Sequence, residues 1–103
     1  MPDITDFTAL TGASATLSAA HRSREGLLHG HTWQVTAWWP EGPCVVSRQR
    51  QLTEFRSVFD HTVLGDDLAW AEALGKAIAV GLDCQEVQVS RPLEGLHALV
   101  RRK

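Results

Sequence analysis

The clearest pattern in the chain is the stretch "HTWQVTAWW", residues 31 to 39. Its positions alternate with period two: His31, Trp33, Val35 and Ala37 fall on one side, Thr32, Gln34 and Thr36 on the other. Thr, Val and Trp suit a pleated surface, so a strand is predicted, and "PEGP" stops it. Upstream, "ASATLSAAH" (13 to 21) mixes small and β-compatible residues and reads as a weaker strand. Beyond the short apolar piece "CVV" the period changes. Leu52, Phe55 and Phe59 recur at i, i+3 and i+7, which predicts an amphipathic helix starting near Gln51 or Thr53. "GDD" breaks it, and Asp66 or Asp67 can cap a second helix. That helix carries Trp70, Leu74, Ala77, Ile78 and Gly81 as one stripe, with Gly81 as its expected stop. "EVQVS" (86 to 90) alternates again, and "LHALV" (96 to 100) reads as a last strand.

The order strand, strand, helix, helix, strand, strand predicts an α+β fold, with both helices covering one face of an antiparallel sheet. Such a sheet has two open edges, which pairing with other subunits relieves.

Composition narrows the class. At 103 residues the chain is read as a single domain, 1–103, that buries about two-thirds of its unfolded surface. Its 44% apolar and 21% charged content is that of a soluble globular domain. A net charge of -2 offers no footprint for nucleic acid or a membrane surface. Cys44 and Cys84 lack C-x-x-C spacing, so two buried thiols in a reduced compartment are expected. With acids where a signal peptide carries bases, and no apolar run near the roughly 20 residues of a span, a cytoplasmic protein is expected.

Candidate chemistry sits in "AAHRSREGLLHGHTWQV", residues 19 to 35, which holds His21, His29 and His31. In an extended segment the H-G-H triplet puts both imidazoles on the same side, with Cα atoms roughly 6.5 to 7 Å apart. If 13–21 and 31–39 pair antiparallel with 22–30 as connection, His21 lies beside His31. Three imidazoles then converge as in zinc sites that leave a fourth position open. A lone H-x-H is more often surface histidine; the third histidine is what raises the case.

"SAAHR", "LHGHTWQV" and, after an amphipathic helix, "FDHTVL" together resemble the 6-pyruvoyl-tetrahydropterin synthase family, which includes the QueD-like 6-carboxytetrahydropterin synthases. The resemblance runs from about Ala15 to Val89. It implies the tunnelling (T-) fold, in the element order read above. It also implies a homo-oligomeric ring, commonly two stacked trimers, whose sheets join into a barrel. His21, His29 and His31 take the places of the three Zn2+ ligands. In the family the ion acts as a Lewis acid on side-chain oxygens of a small-molecule substrate, a reduced pterin such as dihydroneopterin triphosphate, and makes the adjacent C–H more acidic. Asp60 and His61 fall on the family's Asp-His pair, a proton relay. As neighbours in sequence they are not expected to face each other, so the pair is read as acting across a subunit boundary.

Departures from the family's pattern are as informative. Its base is a cysteine four residues before H-G-H; here that position is Glu25. A carboxylate serves as base where burial raises its pKa, although a nearby metal acts the other way. A subgroup uses a glutamate three residues before H-G-H, one position from Glu25. The family's pterin-anchoring glutamate, after the third strand, is replaced by Arg91, which only donates and suits an anionic or acceptor-rich ligand instead. Glu94 can stand in if the loop bends. Of the family's Pro-Thr-x-Glu at the second helix, "AWAE" keeps Glu72, a candidate substrate contact that the stripe points toward solvent. Arg22, Arg24, Arg48 and Arg50 are candidates for phosphate. Two rivals follow: a non-catalytic relative that binds a small heterocycle, and a zinc site that only joins subunits.

Overall fold

Both N-terminal strand readings become long strands. The computed structural model describes residues 1–22, 28–42, 45–64 and 71–103, and of residues 21, 22, 28, 29, 45 and 63 the backbone path alone. In it β1 spans Leu10–Arg22 and β2 spans Leu28–Pro40. They pair antiparallel over their whole length, from Leu10 opposite Pro40 to Arg22 opposite Leu28. This corrects the expected register. His21 lies opposite His29, not His31, and His31 lies opposite Ala19. The reason is that β2 starts at Leu28, so H-G-H belongs to the strand rather than to the connection. The slip is two residues, an even number, and so leaves every side chain on its expected face.

After β2 come α1 (Val45–Arg56), a two-residue β3 (Thr62–Val63), α2 (Ala71–Leu82), β4 (Glu86–Arg91) and β5 (Leu96–Arg101). The sheet order is β3-β1-β2-β4-β5. β2–β4 and β4–β5 are antiparallel, and β3 runs parallel to β1 at Ala19 and Ala20. The fold is α+β: four antiparallel strands, two helices on one face, and the short β3 added at the edge.

Burial follows the period-two reading. Trp33, Val35, Ala37 and Trp39 of β2 are buried, with Leu17 and Ala19 of β1 and Val87 and Val89 of β4. They meet Leu52 of α1 and Leu74, Ile78 and Leu82 of α2 in one core. Each large apolar side chain taken from water there contributes about 1.5–3 kcal/mol. The opposite face is mostly polar, with the Trp38 ring lying against Gly12; on it Ser14 and Thr36 hydroxyls meet across the strands at 2.8 Å. Cys84 is buried as a free thiol, and burial pushes its pKa up.

The helices depart from their predicted bounds. α1 starts at Val45, ahead of Gln51, and Phe59 falls in the turn after it. Among its described side chains Leu52 alone is fully buried and Phe55 is half-buried, so an apolar recurrence could not mark the polar stretch ahead of them, "SRQRQ". In α2, Gly81 does not stop the helix, which continues to Leu82 and ends where Asp83 takes a φ of 50°. Gly81 instead lies against the Phe55 ring, occupying the space a Cβ would need. Asp66, Asp67 and Trp70, named above for the start of this helix, lie outside the described residues, as does Cys44. No helix among the described residues is long and apolar enough to cross a membrane.

Candidate functional site

The β1–β2 register gathers the three histidine positions at one end of the sheet. Positions 21 and 29 are directly paired, and position 31 is two residues further along β2. All three share the phase of the pleat that, further along, faces the helices. The side chain of His31 is described; among the described residues no group of three metal-ligating side chains gathers.

His31 is held tightly. Its side chain is 15% exposed, and its ring packs edge-on against Trp33, with centroids 5.8 Å apart. Arg91, the last residue of β4, brings a guanidinium nitrogen 3.1 Å from His31 Nε2. Arginine has no acceptor, so Nε2 must accept this hydrogen bond and the ring proton sits on Nδ1. Nδ1 in turn faces Glu94 Oε1 at 3.4 Å. The turn from β4 to β5, closed by Gly95 at a φ of 68°, therefore brackets the imidazole from both sides. The guanidinium also stacks on Trp33, 5.6 Å from the ring centroid, which fixes its direction. Trp33 as platform for Arg91 was missed in the sequence, and the contact spans too many residues for any local signal to reveal it.

Asp60 and His61 do meet, against expectation. His61 Nδ1 is 3.0 Å from Asp60 Oδ2. Neighbouring side chains normally diverge, but His61 has a φ of 58°, which folds the turn back on itself. The same carboxylate accepts from the Ser18 amide at 2.8 Å and from Arg56 at 3.1 Å. Above all the Ser18 bond, and then His61 and Arg56, hold the Asp60 carboxyl below its ordinary range. Arg56 also bonds the Thr16 carbonyl, and the His61 amide bonds that of Ser18, so the turn is tied to β1. The spacing of Arg56 and Asp60 is the i, i+4 of a helix ion pair, a sequence signal that could have been read.

β3 brings this turn beside the histidine end. An open cavity of about 430 Å³ is walled by Ser18, Ala19, Ala20, Gly30, His31, Thr32, His61 and Thr62. His31 and His61 both border this cavity, but Ser18, Ala20, Gly30 and Thr32, which also wall it, lie on the phase of the pleat opposite to His31, so it opens mainly on the side of the sheet away from the His31 ring.

The remaining candidates scatter. Glu25 and Arg24 lie outside the described residues, and nothing is described of the Arg22 side chain. Glu72 is exposed in the first turn of α2. Arg48 lies over Trp39, 5.2 Å from its centroid, at the opposite end of β2 from His31, and Arg50 is exposed on α1.

Strand order, helix placement and the edge turn define a fold of the T-fold class. Among solved structures, the 6-pyruvoyl tetrahydropterin synthase of Caenorhabditis elegans shares it. The two superpose with a TM-score of 0.70 over 93% of this chain and 96% of that one, at 14% identity. At that identity the likeness is one of fold. No protein-family model matches the chain, and no curated protein matches it in sequence.

Proposed function

We propose that the chain is a zinc-dependent lyase of the 6-pyruvoyl-tetrahydropterin synthase and QueD-like type, acting on a pterin-like heterocycle such as dihydroneopterin triphosphate or a relative. The observation that carries this reading is the β1–β2 register, which aligns positions 21, 29 and 31 at one end of the sheet, with the Asp60–His61 turn tied to Ser18 of the neighbouring stretch of β1. The donor set fits the ion: three imidazoles suit zinc, and His31 already presents an Nε2 lone pair to a cation, with a carboxylate beside Nδ1. His21, His29 and His31 are the ligands in this reading. Zinc, when bound, supplies Lewis acidity toward oxygens on the substrate's side chain.

The other roles belong to the chain itself. Asp60 holds His61 by Nδ1, which leaves Nε2 to take or give a proton at the cavity. Glu25 is the second candidate for proton transfer, by its position before H-G-H. Arg91 and, from the first turn of α2, Glu72 are the candidate substrate contacts. In this reading the protein works in the cytoplasm as a homo-oligomer, a trimer or a pair of stacked trimers.

Purified protein should carry about one zinc per chain, and a His29→Ala variant should lose it. Incubation with dihydroneopterin triphosphate should release triphosphate or an aldehyde, and His61→Ala should abolish the release. A folded wild type that takes up no zinc and turns nothing over ends the proposal. Arg91 on His31 favours a second reading, a relative that binds an anionic heterocycle without turning it over. Thermal stabilisation by such ligands over pterins, with zinc bound and no product, selects it.

A further inference from the structure

Arg91 at the end of β4 and Glu94 in the turn that follows act on His31 in opposite senses. Glu94 lies at Nδ1, the ring nitrogen that carries the proton, and Arg91 donates to Nε2. A carboxylate that accepts a hydrogen bond from Nδ1–H fixes the tautomer, orients the ring and makes Nε2 a better electron-pair donor. A guanidinium at Nε2 does the reverse for any metal ion, because that nitrogen has one lone pair and serves one partner at a time. Trp33 gives the guanidinium a resting place that does not depend on His31, since the stacking contact is with the indole face.

We infer that Glu94 is a positioning residue for metal ligation by His31 and that Arg91 is its competitor, displaced from Nε2 when a metal ion binds. A displaced Arg91 stays anchored on Trp33 beside His31 and is released to receive an anionic group of the ligand. Metal loading and anion recognition are thereby coupled through one imidazole. The inference rests on the zinc site proposed above and adds to it the order of events: metal first, then the anionic ligand.

The two residues predict shifts of opposite sign, which a turn that merely supports the fold cannot produce. Zinc affinity of the full-length protein is measured by competition with a chromogenic chelator, with thermal melts to verify that each variant is folded. Glu94→Ala should weaken zinc binding by about 10- to 100-fold, the usual effect of removing such a partner. Glu94→Gln keeps an acceptor for Nδ1 and should recover part of that loss. Arg91→Met, which still covers Trp33, should tighten zinc binding by roughly 3- to 10-fold, the size of one hydrogen bond no longer displaced. Shifts in the same direction, no shift in either, or a Glu94→Gln variant no better than Glu94→Ala overturn the inference while leaving the zinc reading intact. Wild type that takes up no zinc overturns both.

Discussion

Asp60 shows how much one side chain can organise. Its carboxylate takes the Ser18 amide, the Arg56 guanidinium and the His61 ring, and so joins the end of α1, the following turn and β1. Protonation removes this clamp. The folded state holds the carboxyl below its ordinary value near 3.9, so its contribution is complete above about pH 4 and is lost as pH falls through the lowered value. Melting curves of wild type and Asp60→Asn should therefore be well separated at pH 7 and draw together below about pH 4. A separation independent of pH would place the clamp's strength elsewhere. At this scale the sequence was legible in kind but not in geometry. Asp60 and His61 could be marked as a pair, yet their contact depends on a positive φ at His61 that no residue type there announces. Arg91 could be marked as a departure, yet its lodging between His31 and Trp33 depends on which strands lie side by side.

Among the elements, strands were easier to read than helices for a physical reason. β2 buries one face along most of its length, so alternation is written into nearly every residue from Trp33 to Trp39. Register was harder, because His21 can pair with His29 or His31 without changing the face of any side chain. α1 buries so little that its start could not be seen, whereas α2 packs Leu74, Ile78 and Leu82 on the sheet and gave a visible stripe. Gly81 was misread because glycine both ends helices and admits close neighbours; the Phe55 ring lies against it, and that contact is made by α1. Gly81→Ala tests this. Alanine gains about 1 kcal/mol of helix propensity at an exposed site, but here its Cβ must displace the ring, a cost of about 1–3 kcal/mol. The variant should melt no higher than wild type and should regain stability when Phe55→Leu is added. A plain stabilisation by Gly81→Ala would mean the helices are not in close contact there.

At the scale of the whole molecule, the chain is extended. Its radius of gyration is 15.0 Å and its extents are 53 × 29 × 24 Å, against about 13 Å for a compact domain of this length. Phe7, Leu93, Leu96 and Leu99 are exposed, the last two on the edge strand β5. The ring assembly proposed above predicts that light scattering with sedimentation finds a trimer or hexamer. A monodisperse monomer at high concentration would contradict it.

The turn that carries His61 has one more consequence, for where a further strand can add to β1. The outward groups of β1 at Thr16, Ser18 and Ala20 are bonded to Arg56, Asp60, the His61 amide and the Leu64 amide. Ahead of them, among the described residues, the outward backbone of Gly12 and Ser14 has no such partner. A strand added at this edge finds its rungs between Leu10 and Ser14, roughly 14 Å by strand rise. Strand addition at this edge is thus metered in length and confined to the half of β1 remote from the histidines.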